Sequence, residues 1–169
     1  MSMESAAYWV EKLGLLPHPE GGFYREVHRS PEQIPAAALA DRFTGARSYL
    51  TSIYFLIKSG YPSHFHRIKS DEIWYFHQGM PVIIHLIDVQ GKYSFKRLGD
   101  VASGLDCFQL CIDAGTWFAA EVTEDEAYAL VSCAVAPGFD FQDFELAKAE
   151  PLKQICSDHA ALIDRLTHD

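Results

Sequence analysis

Gly60-Tyr61-Pro62-Ser63-His64-Phe65-His66-Arg67-Ile68-Lys69-Ser70-Asp71-Glu72-Ile73-Trp74-Tyr75-Phe76-His77-Gln78-Gly79 is the stretch that carries the densest chemistry in the chain. Glycine and proline open it, and Gln78-Gly79 closes it as a turn. Between them, two runs rich in aromatic and β-branched residues flank the polar Lys69-Ser70-Asp71, the pattern of two strands and a short connection. His64 and His66 stand two apart, which on a strand puts both imidazoles on the same face. Glu72 opens the next run. Such an arrangement gathers nitrogen and oxygen ligands, or a base with its orienting acid, at one point. His66 and Glu72 are therefore the leading catalytic candidates.

Outward from this stretch the chain keeps the same character. Phe23–Val27, Arg47–Lys58, Val82–Val89, Tyr93–Leu98, Cys107–Ile112, Trp117–Val122 and Tyr128–Ala136 read as strands. Turn residues such as Gln90-Gly91, Gly99-Asp100 and Asp113–Gly115 separate them at a spacing typical of an all-β sandwich or barrel. Arg47–Lys58 is apolar on both parities, which predicts burial on two faces. Residues 4–16 and about 150–167 show helical spacing of apolar residues. Pro151 suits a first helical position, and Leu152, Ile155, Leu162, Ile163 and Leu166 form the expected stripe. Residues 30–46 read as a loop with a helical turn. The expectation is one domain over 1–169, with a barrel core at about 20–148 and no linker or repeat.

The chain has 169 residues, enough for a sizeable core without staples. Its net charge of −9 is the wrong sign for a general nucleic-acid binder. Arg25, Arg29 and Arg47 could still make a local basic patch for one phosphorylated ligand. Cys107, Cys111, Cys133 and Cys156 form no CxxC pair and read as reduced thiols. No leader-like segment and no bilayer-length apolar run occurs, so the expected location is the cytoplasm, without a membrane.

Gly60, His66, Glu72 and Gly79 fit the first motif of the cupin superfamily: Gly, five residues, His, one residue, His, three or four residues, Glu, six residues, Gly. Ile68 occupies the second histidine position of that motif. The second motif, Pro, one residue, Gly, two residues, His, corresponds to Asp113–Phe118, with Gly115 matching and Phe118 in place of histidine. Pro19–Glu26, His66–Trp74, Gly115–Ala119 and Val135–Phe144 narrow the resemblance further. Together they resemble a small cupin family commonly described as predicted sugar epimerase-like, over roughly residues 5–148. The resemblance implies an antiparallel β-barrel of jelly-roll type with short terminal helices, a small-molecule ligand, and a homodimer formed between sheets. Of the four usual cupin metal ligands, only His66 and Glu72 remain. The expectation is therefore no cofactor. Were a transition metal bound, His64, His66 and Glu72 would be its set, against Ile68 and Phe118.

Three functions follow. The first is an epimerase or isomerase on a sugar-like or nucleotide-linked ligand. His66 would be its base, Glu72 or Asp71 would fix the tautomer, and Tyr54 would return the proton from the other face. Arg25 would hold a phosphate after the double glycine, and Trp74 would be a stacking wall. Phe118 would make the pocket apolar. The second is a metal-dependent dioxygenase, and the third a ligand-binding module without turnover. Each residue also has a plain structural reading. Glu72 could pair with Arg67 or Lys69, Tyr54 could satisfy its hydroxyl on a carbonyl, and Trp74 could be core. Arg25 and Glu26 could be a surface ion pair. His77 and His85 read as structural or exposed. Tyr75 and Trp117 read as outward, towards a subunit contact.

Overall fold

Phe55, Trp74, Ile84, Leu98, Phe118 and Val131 come from six strands and meet in a single interior. The computed structural model describes residues 4–101 and 107–168. In chain order the elements are α1 (Ala6–Leu13), β1 (Leu16–Pro17), β2 (Phe23–Arg29), β3 (Gln33–Ile34), β4 (Arg47–Ser48), β5 (Thr51–Lys58), β6 (Ser63–Arg67) and β7 (Asp71–Gly79). They continue as β8 (Val82–Ile87), β9 (Tyr93–Leu98), β10 (Gln109–Ile112), β11 (Trp117–Glu121), β12 (Tyr128–Ala136), β13 (Glu145–Leu146), α2 (Ala149–Ile155) and α3 (Ala160–Arg165). One sheet runs β1-β2-β5-β12-β7-β10 and the other β13-β6-β11-β8-β9. Neighbouring strands in both are antiparallel. The fold is a jelly roll of two facing sheets that do not close edge to edge into a barrel.

Helices cover the outer face of each sheet. Ser5 caps α1 by accepting the Tyr8 N–H at 3.1 Å, and Gly14 ends it in the left-handed region at φ 61°. α1 lays Val10 and Leu13 on Leu56, Tyr128 and Leu130. This explains why β5 is apolar on both parities: its inner face meets the core and its outer face meets α1. At the other end, Leu152, Ile163 and Leu166 pack on Phe65, Ile87 and Trp117. Trp117 does point away from the interior, but the chain's own C-terminal helices cover it.

Several boundaries differ from the sequence reading. Leu16-Pro17 leaves the first helix to pair with β2. The Arg47–Lys58 run breaks at Tyr49-Leu50 into β4 and β5. The C-terminal helix is two helices joined by a tight turn, Pro151 is the third residue of α2, and Ile155 is half exposed rather than part of the stripe. All four cysteines are free. Among the described residues no helix is long and apolar enough to cross a membrane.

Candidate functional site

Strand parity builds the walls of a cavity of about 320 Å³ between the sheets. Thr51, Ile53 and Phe55 face it from β5, Glu72 and Trp74 from β7, and Cys133 and Val135 from β12. Two β-bulges decide which polar groups reach it. In β6, Phe118 pairs with His66 but Ala120 pairs with Ser63, so β6 holds one extra residue. Ser63 and His66 thus both point inward, and His64 turns out, onto the Glu20 carbonyl and beside His168. In β2, Glu26 pairs with Ile53 and His28 with Ser52, making Val27 the extra residue. Arg29 is thereby brought back to the inner side, next to Glu26 at the cavity mouth.

Glu20 was not singled out by the sequence reading, and it lies at the centre of the site. Its Oε2 is 3.2 Å from Nε2 of His66 and 3.2 Å from Nδ1 of His18, while Ser63 Oγ donates to Oε1 at 2.8 Å. The Gly21-Gly22 turn delivers it. A Cβ on Gly21 would lie 2.1 Å from the Pro62 carbonyl oxygen, and φ there is 106°, so only glycine lets this turn dock on β6. A carboxylate directly before a double glycine was the available signal.

The hydrogen bonds constrain the protons. His66 Nδ1 must donate to the His64 carbonyl at 2.7 Å, since a carbonyl only accepts. Nε2 then faces a carboxylate oxygen, and one proton between them makes the contact a charge-assisted bond. Burial pulls His66 below the ordinary histidine range, with the Glu20 charge pulling the other way. Burial would raise Glu20, but His66 and His18 hold it below the usual carboxylate value. Both directions favour the deprotonated form of each group, so between them the pair offers one place for a proton to arrive.

Glu72 is the opposite case. Burial, then the charge of Glu20, push its carboxyl up to about 8, so it is uncharged at neutral pH. The Cys133 thiol beside it is raised too, by burial first. The site thus holds a base and a neutral acid in one enclosed space, the pairing that proton transfer needs. The buried Trp74 indole N–H approaches the Glu72 carboxyl closely enough to favour its charged form, without full hydrogen-bonding geometry.

His66, Glu72 and Trp74 share the cavity. Other candidates lie elsewhere. Tyr54 has the opposite parity to Phe55 and packs outside under α1, with Arg25 over its ring at 5.7 Å. Arg25 alternates with Tyr24 and Glu26, which face in. Glu26 pairs with Arg29, not Arg25. Asp71 is exposed and accepts the Ala114 N–H at 2.9 Å, so it orients a turn and not His66. Phe118 is fully buried beneath His66, ring centroids 4.0 Å apart, and forms no part of the cavity lining. Arg47 is buried in a bidentate pair with Asp143, at 2.7 and 2.8 Å, and is not free to hold a phosphate. His77 bonds Ser132 at 2.6 Å, and His85 joins Tyr93 and Glu121 in a network away from the cavity.

A cupin-type metal does not fit these residues. Ile68 lines the cavity as an apolar wall, Phe118 fills the other ligand position, and His64 is turned away. Among the described residues, no group of three His, Cys, Asp or Glu side chains has the geometry to hold an ion. Glu20 is already engaged by two histidines and a serine.

Comparisons with known proteins agree with this architecture. Residues 7–147 match the family described as Cupin superfamily (DUF985). The uncharacterized protein YML079W of Saccharomyces cerevisiae is 28% identical over 155 residues, 80% of this chain and 72% of that one. A hypothetical protein from Leishmania major is 34% identical with a TM-score of 0.87, covering 98% of this chain and 100% of that chain. Protein SO0799 from Shewanella oneidensis is 34% identical with a TM-score of 0.86, covering 98% and 99%. A ligand-sized cavity between two antiparallel sheets, the first-motif residues on β6 and β7, and a match over most of the chain have one meaning: this chain belongs to the cupin superfamily, in its DUF985 family.

Proposed function

We propose that this small-molecule-binding cupin is a metal-independent isomerase of the epimerase type, moving a proton on the carbon beside a carbonyl of a sugar-like ligand. The observation that carries the reading is the His66–Glu20 pair and the buried Glu72 carboxyl in one cavity. In it, His66 takes the proton from carbon, with Glu20 supporting the imidazolium that forms. Glu72 is the acid that faces the carbonyl oxygen, and Tyr54, packed outside the cavity, is misplaced to return a proton. The cavity volume of about 320 Å³ is at the low end for ligand pockets, which favours a single sugar over a nucleotide-linked one. Phe55, Phe139 and Phe141 give it apolar walls.

The test is deuterium incorporation from heavy water into a panel of keto sugars, read by mass spectrometry. Wild type is expected to exchange at least one sugar, and His66→Asn to lose about a hundredfold or more in rate. Exchange that survives His66→Asn would sink this mechanism. One observation favours a second reading, ligand binding without turnover: both ring nitrogens of His66 already have partners. Tight binding across the panel with no exchange would support it. A homodimer is part of the same proposal. Light scattering that returns 19.0 kDa, the mass of one chain, would discard it.

A further inference from the structure

The Trp74 indole N–H is the described buried side-chain polar atom without a hydrogen-bond partner. Trp74 is only 1% exposed, so this donor has no access to bulk water. An unmet buried donor is costly, and folded proteins leave few of them. The indole ring is held between aromatic neighbours. It is packed edge to face against Phe55, at 5.7 Å and 86°, and against Phe118, at 6.2 Å and 88°. Two residues before it on β7, and on the same face, stands Glu72, whose carboxyl the indole N–H approaches closely enough to favour the charged form but without full hydrogen-bonding geometry. Both residues line the cavity.

We propose that the Trp74 N–H and the Glu72 carboxyl together cradle the carbonyl oxygen of the ligand. Trp74 then acts through its edge and not as a stacking wall. This rests on the isomerase reading for its chemistry and specifies its substrate class: a ligand whose oxygen gains negative charge. When the His66–Glu20 pair takes the proton from the neighbouring carbon, the C–H electron pair becomes the C=C bond. The carbonyl π pair moves onto oxygen. The Trp74 N–H donates to that oxygen and keeps its proton, a contact that strengthens as charge develops.

The probe is glycolohydroxamate, a stable mimic of an enediolate, with glycerol as the control that lacks the acceptor. Proton–nitrogen NMR of the indole groups follows the binding. In wild type, glycolohydroxamate is expected to move the Trp74 indole proton downfield, and glycerol to leave it in place. Trp74→Phe, which keeps a ring and removes the N–H, is expected to bind the hydroxamate about tenfold more weakly. No binding by wild type, a Trp74 resonance unmoved at saturation, or equal affinity in Trp74→Phe would overturn the proposal. Should the variant fail to fold, the wild-type resonance decides alone. A shifted resonance without deuterium exchange into any sugar of the panel would overturn the isomerase reading and leave the cradle standing.

Discussion

Glu72 shows at the scale of one residue how the fold sets chemistry. Its carboxyl is an ordinary acid in the unfolded chain, near 4.5, and burial raises it to about 8 in the folded one. Between those values the folded state binds more protons than the unfolded state. Its contribution to stability is complete below about pH 4.5 and is lost as pH rises towards 8, with a slope of about 1.4 kcal/mol per pH unit from this group. Glu72→Gln keeps the shape and removes the titration. Denaturant unfolding at pH 5, 6.5 and 8 should therefore show a flatter loss of stability in the variant. An unchanged slope would mean that Glu72 is charged in the fold. His66, Glu72 and Trp74 were readable as a group because motif spacing and strand parity are both visible in sequence. Glu20 was not, because it comes from a turn and parity says nothing of turns. Tyr54 and Arg25 were placed by residue type, when the one-residue alternation of β5 and β2 decided their direction.

Elements carry information that no single residue shows. The two bulges, in β2 and β6, are the main reason that the site differs from its sequence reading. A bulge is a property of how two strands pair, and one strand's sequence does not contain the other's register. The Gly21 turn is a sharper case. Gly21→Ala would push a Cβ into the Pro62 carbonyl at a positive φ. It should cost about 2 kcal/mol or more of stability and withdraw Glu20 from His66. Thermal unfolding and the His66 titration by NMR would check both effects. At the C-terminus, α3 is held by Arg165, which pairs with Glu121, itself bonded to His85. The His85 bond, opposed by burial and reinforced by Arg165, holds Glu121 down at about 2. That stabilisation is present above about pH 4.5 and is lost as pH falls towards 2. Glu121→Gln should lower stability at pH 6 by about 2 kcal/mol. It should also show a shallower decline between pH 4.5 and 2, measurable by acid titration of the far-ultraviolet signal.

Across the whole molecule the order of strand-like runs and turns was enough to read an all-β sandwich or barrel, because the long strands show in composition. The jelly roll came from the cupin resemblance, and the two-residue strands β1, β3 and β13 carry no such signal. How the sheets are covered was less legible. An apolar stripe on a helix does not say which surface it meets, and α2 and α3 settle on the outside of β6, β8 and β11. Removing residues 149–168 would bare Phe65, Ile87 and Trp117 and free the Phe65 N–H, which donates to the Leu166 carbonyl. Such a truncation should lose its cooperative thermal transition and most of its soluble yield. A truncated chain that melts sharply would show the helices to be dispensable. The placement of Trp74 reaches beyond chemistry. Of the chain's three tryptophans, Trp9 hydrogen-bonds Tyr128, Trp117 lies under Arg67, and Trp74 alone lines the cavity. Its light emission should be blue-shifted by the dry surroundings and sensitive to any guest that arrives beside Glu72. The protein carries its own optical reporter, and a fluorimeter can screen ligands without a dye or a label.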